Sequence, residues 1–134
     1  MVKLRLRRKG KSHKPFYDIV VVDGRKKRDG AYIERLGWYN PHTEPTTFKL
    51  NVKQSIHWLN VGAQATPVVM NLMKYDGILL RRALEFKNKP VEEIDQLVEK
   101  HKENAKTRYF RNKENRKKRA DAKAKAAEEA KAAE

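Results

Sequence analysis

Val2, Leu4 and Leu6 alternate with Lys3, Arg5 and Arg7 at the start of the chain. A period of two predicts a half-buried strand with a basic outer face. Residues 10–15 are polar and read as a loop. Residues 16–22, Phe-Tyr-Asp-Ile-Val-Val-Val, are nearly apolar at every position, the pattern of a strand covered on both sides. Asp23-Gly24 starts a turn, and residues 25–30 form a basic loop. Residues 32–39, rich in aromatics, are a third strand candidate. Asn40-Pro41 ends it, the stretch to Thr47 is loop, and residues 48–50 make a short fourth strand.

The period then changes. Asn51 is placed to cap a helix carrying Val52, Ile56 and Leu59, with Gly62 as its stop. Thr66 is placed to cap the next, with Pro67 at its first position, an apolar face of Val69, Leu72 and Met73, and Gly77 at its end. Strands grouped before helices predict an α+β fold. After Leu84 the composition shifts. Residues 86–90 read as a linker, and Pro90 can open a helix with Glu92 and Glu93 in its first turn. Val91, Ile94, Leu97, Val98 and His101 give that helix a narrow apolar stripe. Beyond Ala105 basic residues point all round, so the segment is expected to be a bare helix or disordered when free. The division expected is a core of residues 1–84 and a charged extension of residues 85–134.

Charge narrows the function. Of 134 residues, 32 are Lys or Arg and 17 are Asp or Glu, a net charge of +15. Hydrophobic residues make up 39%, below the ~45–50% of an ordinary globular domain, so the core is modest. There is no cysteine, which excludes disulfides, thiolate metal sites and cysteine nucleophiles. No apolar run reaches the ~18–20 residues of a membrane span, and no apolar stretch follows the basic N-terminus as in a signal peptide. A soluble intracellular protein with a polyanionic partner is expected, because a bound polyanion relieves the chain's self-repulsion.

The basic residues fall in three blocks. The first is Lys3, Arg5, Arg7, Arg8, Lys9, Lys11 and Lys14, with Ser12 and His13 and no acid. On a strand, Lys3, Arg5 and Arg7 form a row spaced about 6.5–7 Å, close to the repeat of phosphates along an RNA strand. The second is Arg25, Lys26, Lys27 and Arg28 between Asp23-Gly24 and Asp29-Gly30, where a tight turn would fan the side chains toward a phosphate backbone. The third is Lys106, Arg108, Arg111, Lys113, Arg116, Lys117, Lys118 and Arg119, with Tyr109 and Phe110 among them, suited to folding on binding in a nucleic-acid groove. The Ala/Lys/Glu end after Arg119 is helix-prone and near neutral. Phe16 and Trp38 are expected in the core, and Tyr39 is evenly balanced between core and base stacking. His13, His42, His57 and His101 lack metal-ligand spacing. Asp23 and Asp29 could in principle hold a divalent ion for phosphodiester cleavage, but turn formation is the commoner use of such aspartates. A polybasic membrane binder is disfavoured by the lack of a broad apolar helix face.

Several stretches, in this order, resemble a known family. They are Val2-Lys-Leu-Arg-Leu-Arg-Arg-Lys-Gly10, Lys14-Pro-Phe-Tyr-Asp-Ile-Val-Val-Val-Asp23, Arg28-Asp-Gly-Ala-Tyr-Ile-Glu-Arg-Leu-Gly-Trp-Tyr-Asn-Pro41, Val61-Gly-Ala-Gln-Ala-Thr66 and Gly77-Ile-Leu79. Together they resemble the sixteenth protein of the bacterial small ribosomal subunit. The resemblance implies a small mixed sheet packed by helices, and a structural role binding 5′-domain small-subunit ribosomal RNA beside neighbouring small-subunit proteins. It implies RNA contacts from Lys3, Arg5, Arg7, Arg8, Lys9, Lys14, Arg25, Arg28, Tyr39 and Asn40, and from Gln64 in an interhelical turn. It brings no catalytic residue, cofactor, small-molecule substrate or membrane. The location implied is the cytoplasmic ribosome, with an organellar ribosome also compatible. Asp18 stands where the family commonly has a basic residue, Gly24 where it has serine, and Ala65 where it has proline. The extension lies beyond the family core.

Overall fold

The structure, a computed structural model, describes residues 1–132, with side chains described as far as residue 124. Two strands, β1 (Val2–Lys11) and β2 (Lys14–Asp23), pair antiparallel over their whole length, from Val2 opposite Asp23 to Lys11 opposite Lys14. Only Ser12 and His13 separate them. Residues 10–15 are therefore mostly strand, not the expected loop, because a two-residue turn lets the ladder run to its end. Gly10, at φ +86°, makes this close approach: a Cβ there would lie 2.6 Å from the Lys14 carbonyl oxygen.

The strands β3 (Glu34–Asn40), β4 (Thr47–Leu50) and β5 (Gln64–Ala65) complete a sheet ordered β4-β3-β2-β1-β5. All pairs are antiparallel except β1 with β5, so the sheet is mixed and the fold is α+β. β5 was not legible in the sequence. Two residues have no period, and it forms because the chain leaving the first helix runs beside Lys3 and Leu4. Gly37 faces Leu50 across β3 and β4, where a Cβ would collide with the Lys49 carbonyl.

The helices are α1 (Val52–Asn60), α2 (Pro67–Tyr75), α3 (Ile78–Phe86) and α4 (Val91–Ala132). The Asn51 side chain accepts from the Gln54 amide, as its position predicted. Thr66 occupies the cap of α2 without a side-chain bond, with Pro67 at the first position. Gly77, at φ +76°, ends α2 and starts α3. α3 was not legible from the pattern of residues alone; its turn-and-restart needs only that left-handed residue.

Leu4, Ile19, Val21, Leu36, Leu50, Ile56, Leu59, Val69, Met73 and Ile78 pack into one core between the sheet and the helices. Leu84, Ile94 and Val98, with Leu80 against them, form a second cluster. Val91 and Leu97 of the expected stripe are 64% and 37% exposed, so only part of it is used. A first compact unit comprises Met1–Val98, and a second begins at Glu99. The segment expected to be bare helix or disordered, residues 106–119, is helical. Neither Gly nor Pro occurs after Pro90, and Ala, Lys, Arg and Glu dominate, all strong helix formers. The helix-prone end continues to Ala132, while residues 133–134 lie outside the described residues. Among the described residues no helix is long and apolar enough to cross a membrane.

Candidate nucleic-acid interface

Alternation sorts the sheet into two faces. Leu4 and Leu6 stand opposite Val21 and Ile19 on the helix-covered face. Lys3, Arg5, Arg7 and Lys9 stand opposite Val22, Val20, Asp18 and Phe16 on the other. Val20 and Val22 are nonetheless buried, at 1% and 2% exposure. The loop after β2 is held against the basic row on this face.

That loop is tied to β1 by arginines. Arg5 Nη2 donates to the carbonyls of Lys26 and Lys27 at 2.6 and 2.8 Å. Arg7 Nη2 donates to the Asp29 carbonyl at 3.4 Å, and its guanidinium lies 5.2 Å from the centre of the Tyr32 ring. Arg5 and Arg7 are half-buried, whereas Arg25, Lys26, Lys27 and Arg28 are exposed. Arg5 and Arg7 thus anchor the loop, and the loop presents exposed charge. Asp23 holds the loop's start, with its carboxylate accepting from the Arg25 amide at 3.0 Å, which keeps that carboxyl below its ordinary pKa. Arg28 pairs with Asp29 at 3.2 Å; the bond raises the guanidinium pKa and lowers that of the carboxyl. Both aspartates therefore serve the loop. Among the described residues no group of three or more His, Asp or Glu side chains could hold a metal.

The hairpin tip adds a second exposed cluster: Arg8, Lys9, Lys11, Ser12, His13 and Lys14. Arg8 Nη2 donates to the Ser12 carbonyl at 2.9 Å. Arg8, Lys9, Gly10 and Ser12 share an open recess with Arg28 and Asp29, so the tip and the basic loop adjoin. Lys9 also pairs with Asp18, which is fully buried and pairs with Arg35 Nη2 at 3.0 Å as well.

Gln64 lies in β5 beside Lys3, exposed, and not in a free turn. Tyr39 is half-buried on the core side, its ring 6.1 Å from that of Tyr17. The Asn40 carboxamide accepts from the His42 amide at 3.1 Å, an internal turn contact. Phe16 and Trp38 are not in the core. Their positions put both on the outward face, where they stack at 5.7 Å and 24°. Trp58, the other tryptophan, does pack on the core and donates to Glu34 at 2.7 Å. In the second unit, Lys106, Arg108, Arg111, Arg116, Lys117, Lys118 and Arg119 are exposed along α4, and Lys113 is half-buried.

Sequence reasoning missed Arg35 and Lys49. In an unbroken β3, residue 35 would share the face of Gly37. A bulge between Ile19 and Val20 pairings leaves Leu36 as the extra residue. Leu36 turns into the core, and Arg35 emerges on Trp38's side. Lys49 stands directly across from Trp38.

Residues 8–66 match the family model described as Ribosomal protein S16. The small ribosomal subunit protein bS16 of Pseudothermotoga lettingae is 51% identical over 81 residues, 60% of this chain and 83% of that protein. The bS16 protein of Thermosipho africanus is 45% identical over 94 residues, 66% of this chain and all of that protein. For Flavobacterium johnsoniae the identity is 48% over 84 residues, and the match spans only 45% of that longer relative.

Proposed function

The chain belongs to the ribosomal protein S16 family, a family of structural and not enzymatic proteins, and from that premise we propose that it binds and orients 5′-domain RNA of the small ribosomal subunit. It does so during assembly and in the mature particle, beside neighbouring small-subunit proteins. The observation that carries this reading is the pinned basic loop: four exposed cations, at residues 25–28, are held on a rigid sheet next to the cationic hairpin tip. Fixed cations neutralise phosphates from more than one RNA segment and so fix the segments' relative orientation. Backbone and shape dominate over base identity, because the major groove of A-form RNA is too deep and narrow for side chains.

Labour divides between residues 1–84, the shape-reading core, and residues 85–134, whose basic stretch from Lys106 to Arg119 adds phosphate contacts from α4. Binding of the intact chain to 5′-domain RNA, with duplex DNA as competitor across a salt series, tests the reading. RNA is expected to be preferred at every salt concentration. Replacing Arg25, Lys26, Lys27 and Arg28 by Gln is expected to abolish that preference while replacing the α4 cations weakens both polymers alike. Equal affinity for the two polymers in the intact chain would overturn the proposal.

A further inference from the structure

β3 and β4 carry an open recess of about 440 Å³, lined by Arg35, Leu36, Gly37, Trp38, Lys49, Leu50 and Asn51. Its volume lies within the ~300–1,000 Å³ typical of small-ligand sites. Three of these side chains carry chemistry. Phe16 stacks on Trp38 and does not line the recess, so the indole that borders the recess is backed by a second ring. Arg35 is oriented by Asp18, whose carboxylate is buried and already shared with Lys9. Lys49 is exposed, stands opposite Trp38 in the ladder, and has no carboxylate partner among the described residues. The recess therefore offers a backed aromatic plane between one oriented and one free cation.

We infer that this recess binds a single unpaired nucleotide of the RNA, with its base stacked on Trp38 and its flanking phosphates on Arg35 and Lys49. The inference rests on the RNA-binding reading above and deepens it. The charge selects an anion, and the aromatic plane selects a flat ring; a nucleotide combines the two. A base in an A-form helix is stacked on its neighbours and cannot present a face, so the occupant must come from a bulge, loop or strand end. Gly37 contributes by letting β4 close against β3, which brings Lys49 beside Trp38. None of these three side chains belongs to the basic loop or the hairpin tip, so the site adds a base-stacking contact to a surface that otherwise reads phosphates.

The test uses the full chain with Trp58→Phe, which leaves Trp38 as the sole tryptophan. Labelled 5′-domain RNA reports affinity, and Trp38 emission reports stacking. Saturating RNA is expected to quench Trp38. Trp38→Leu is expected to weaken binding about tenfold and Trp38→Phe to restore most of it, the size expected for one base–aromatic stack. Lys49→Gln, a surface change that does not depend on refolding the sheet, is expected to lower the slope of log affinity against log salt by about 0.7–0.9. Full RNA affinity with unquenched Trp38 emission and an unchanged slope in Lys49→Gln would overturn the nucleotide site and leave the proposed function standing. Failure of the parent protein to bind the RNA at all would overturn both.

Discussion

Under the proposed RNA-binding role, replacing Arg5 separates a direct phosphate contact from a hold on the loop that makes one. Its Nη2 bonds two carbonyls, those of Lys26 and Lys27, at 2.6 and 2.8 Å. Hydrogen bonds from a charged donor contribute about 1.5–3 kcal/mol each when shielded. These lie at a half-exposed edge, so about half the shielded sum, about 1.5–3 kcal/mol for the pair together, is appropriate. If that hold is what pre-organises the loop, Arg5→Ala lowers RNA affinity by about ten- to a hundredfold, since 1.4 kcal/mol is tenfold. Because Arg5 makes no phosphate contact in this reading, the salt slope stays unchanged. A direct phosphate contact would instead reduce the slope by about 0.7–0.9. Arg5→Lys sharpens the distinction. It keeps the charge, but an ammonium lacks the planar fork that reaches both carbonyls, so it is expected to behave nearly as badly as alanine. The assay is a salt series of RNA binding for the three proteins, with amide exchange of residues 25–30 measured in the free state. Wild-type affinity in Arg5→Lys, or a slope reduced by about one in Arg5→Ala with loop exchange unchanged, would refute the anchoring argument.

Four further outcomes follow from the packing and the charges. Gly37→Ala forces β4 away from β3 and is expected to cost about 3 kcal/mol in chemical denaturation. Ile94→Ala empties a position 2% exposed in the cluster with Leu84 and Val98 and should lower stability by about 2–4 kcal/mol, read from the thermal midpoint. Asp18→Asn should cost only about 1–2 kcal/mol, because Lys9 and Arg35 are 48% and 47% exposed and rehydrate when released; a larger loss would mean they are not free to move. The lowered pKa of Asp23 implies that its bond to the Arg25 amide is fully present above the ordinary aspartate range and lost as pH falls through the lowered value. Protection of the Arg25 amide is therefore expected to be flat from neutral pH to about pH 4 and to decline below it. In Asp23→Asn, whose neutral carboxamide can still accept, that decline should vanish.

Much of the molecule was legible residue by residue. Alternation at Val2, Leu4 and Leu6 fixed which face of β1 meets the core, and Asn51, Pro67 and Gly77 marked helix boundaries through cap chemistry that needs no distant partner. The three basic blocks, and the family resemblance across residues 1–80, were equally open to reading. The outward placement of Phe16 and Trp38 was not, because an aromatic residue suits either side of a sheet and only the strand register assigns one.

The chain's local patterns thus determined most of its elements, though not β5 or α3, and its sign of charge and the class of partner that charge suits. Tertiary structure decided what each charge contacts within the fold. Arg5 and Arg7 look identical to Arg25 and Arg28 in a count of cations, yet the first pair is turned onto backbone carbonyls 21–22 residues away, and the second is left exposed. Arg35 reaches the outward face only because one extra residue in β3 shifts the alternation. Hydrophobic period and capping are set by neighbours along the chain, so sequence carries them. Register, bulges and the donors that long side chains find depend on which strands meet, and that is settled only when the whole sheet closes on its core.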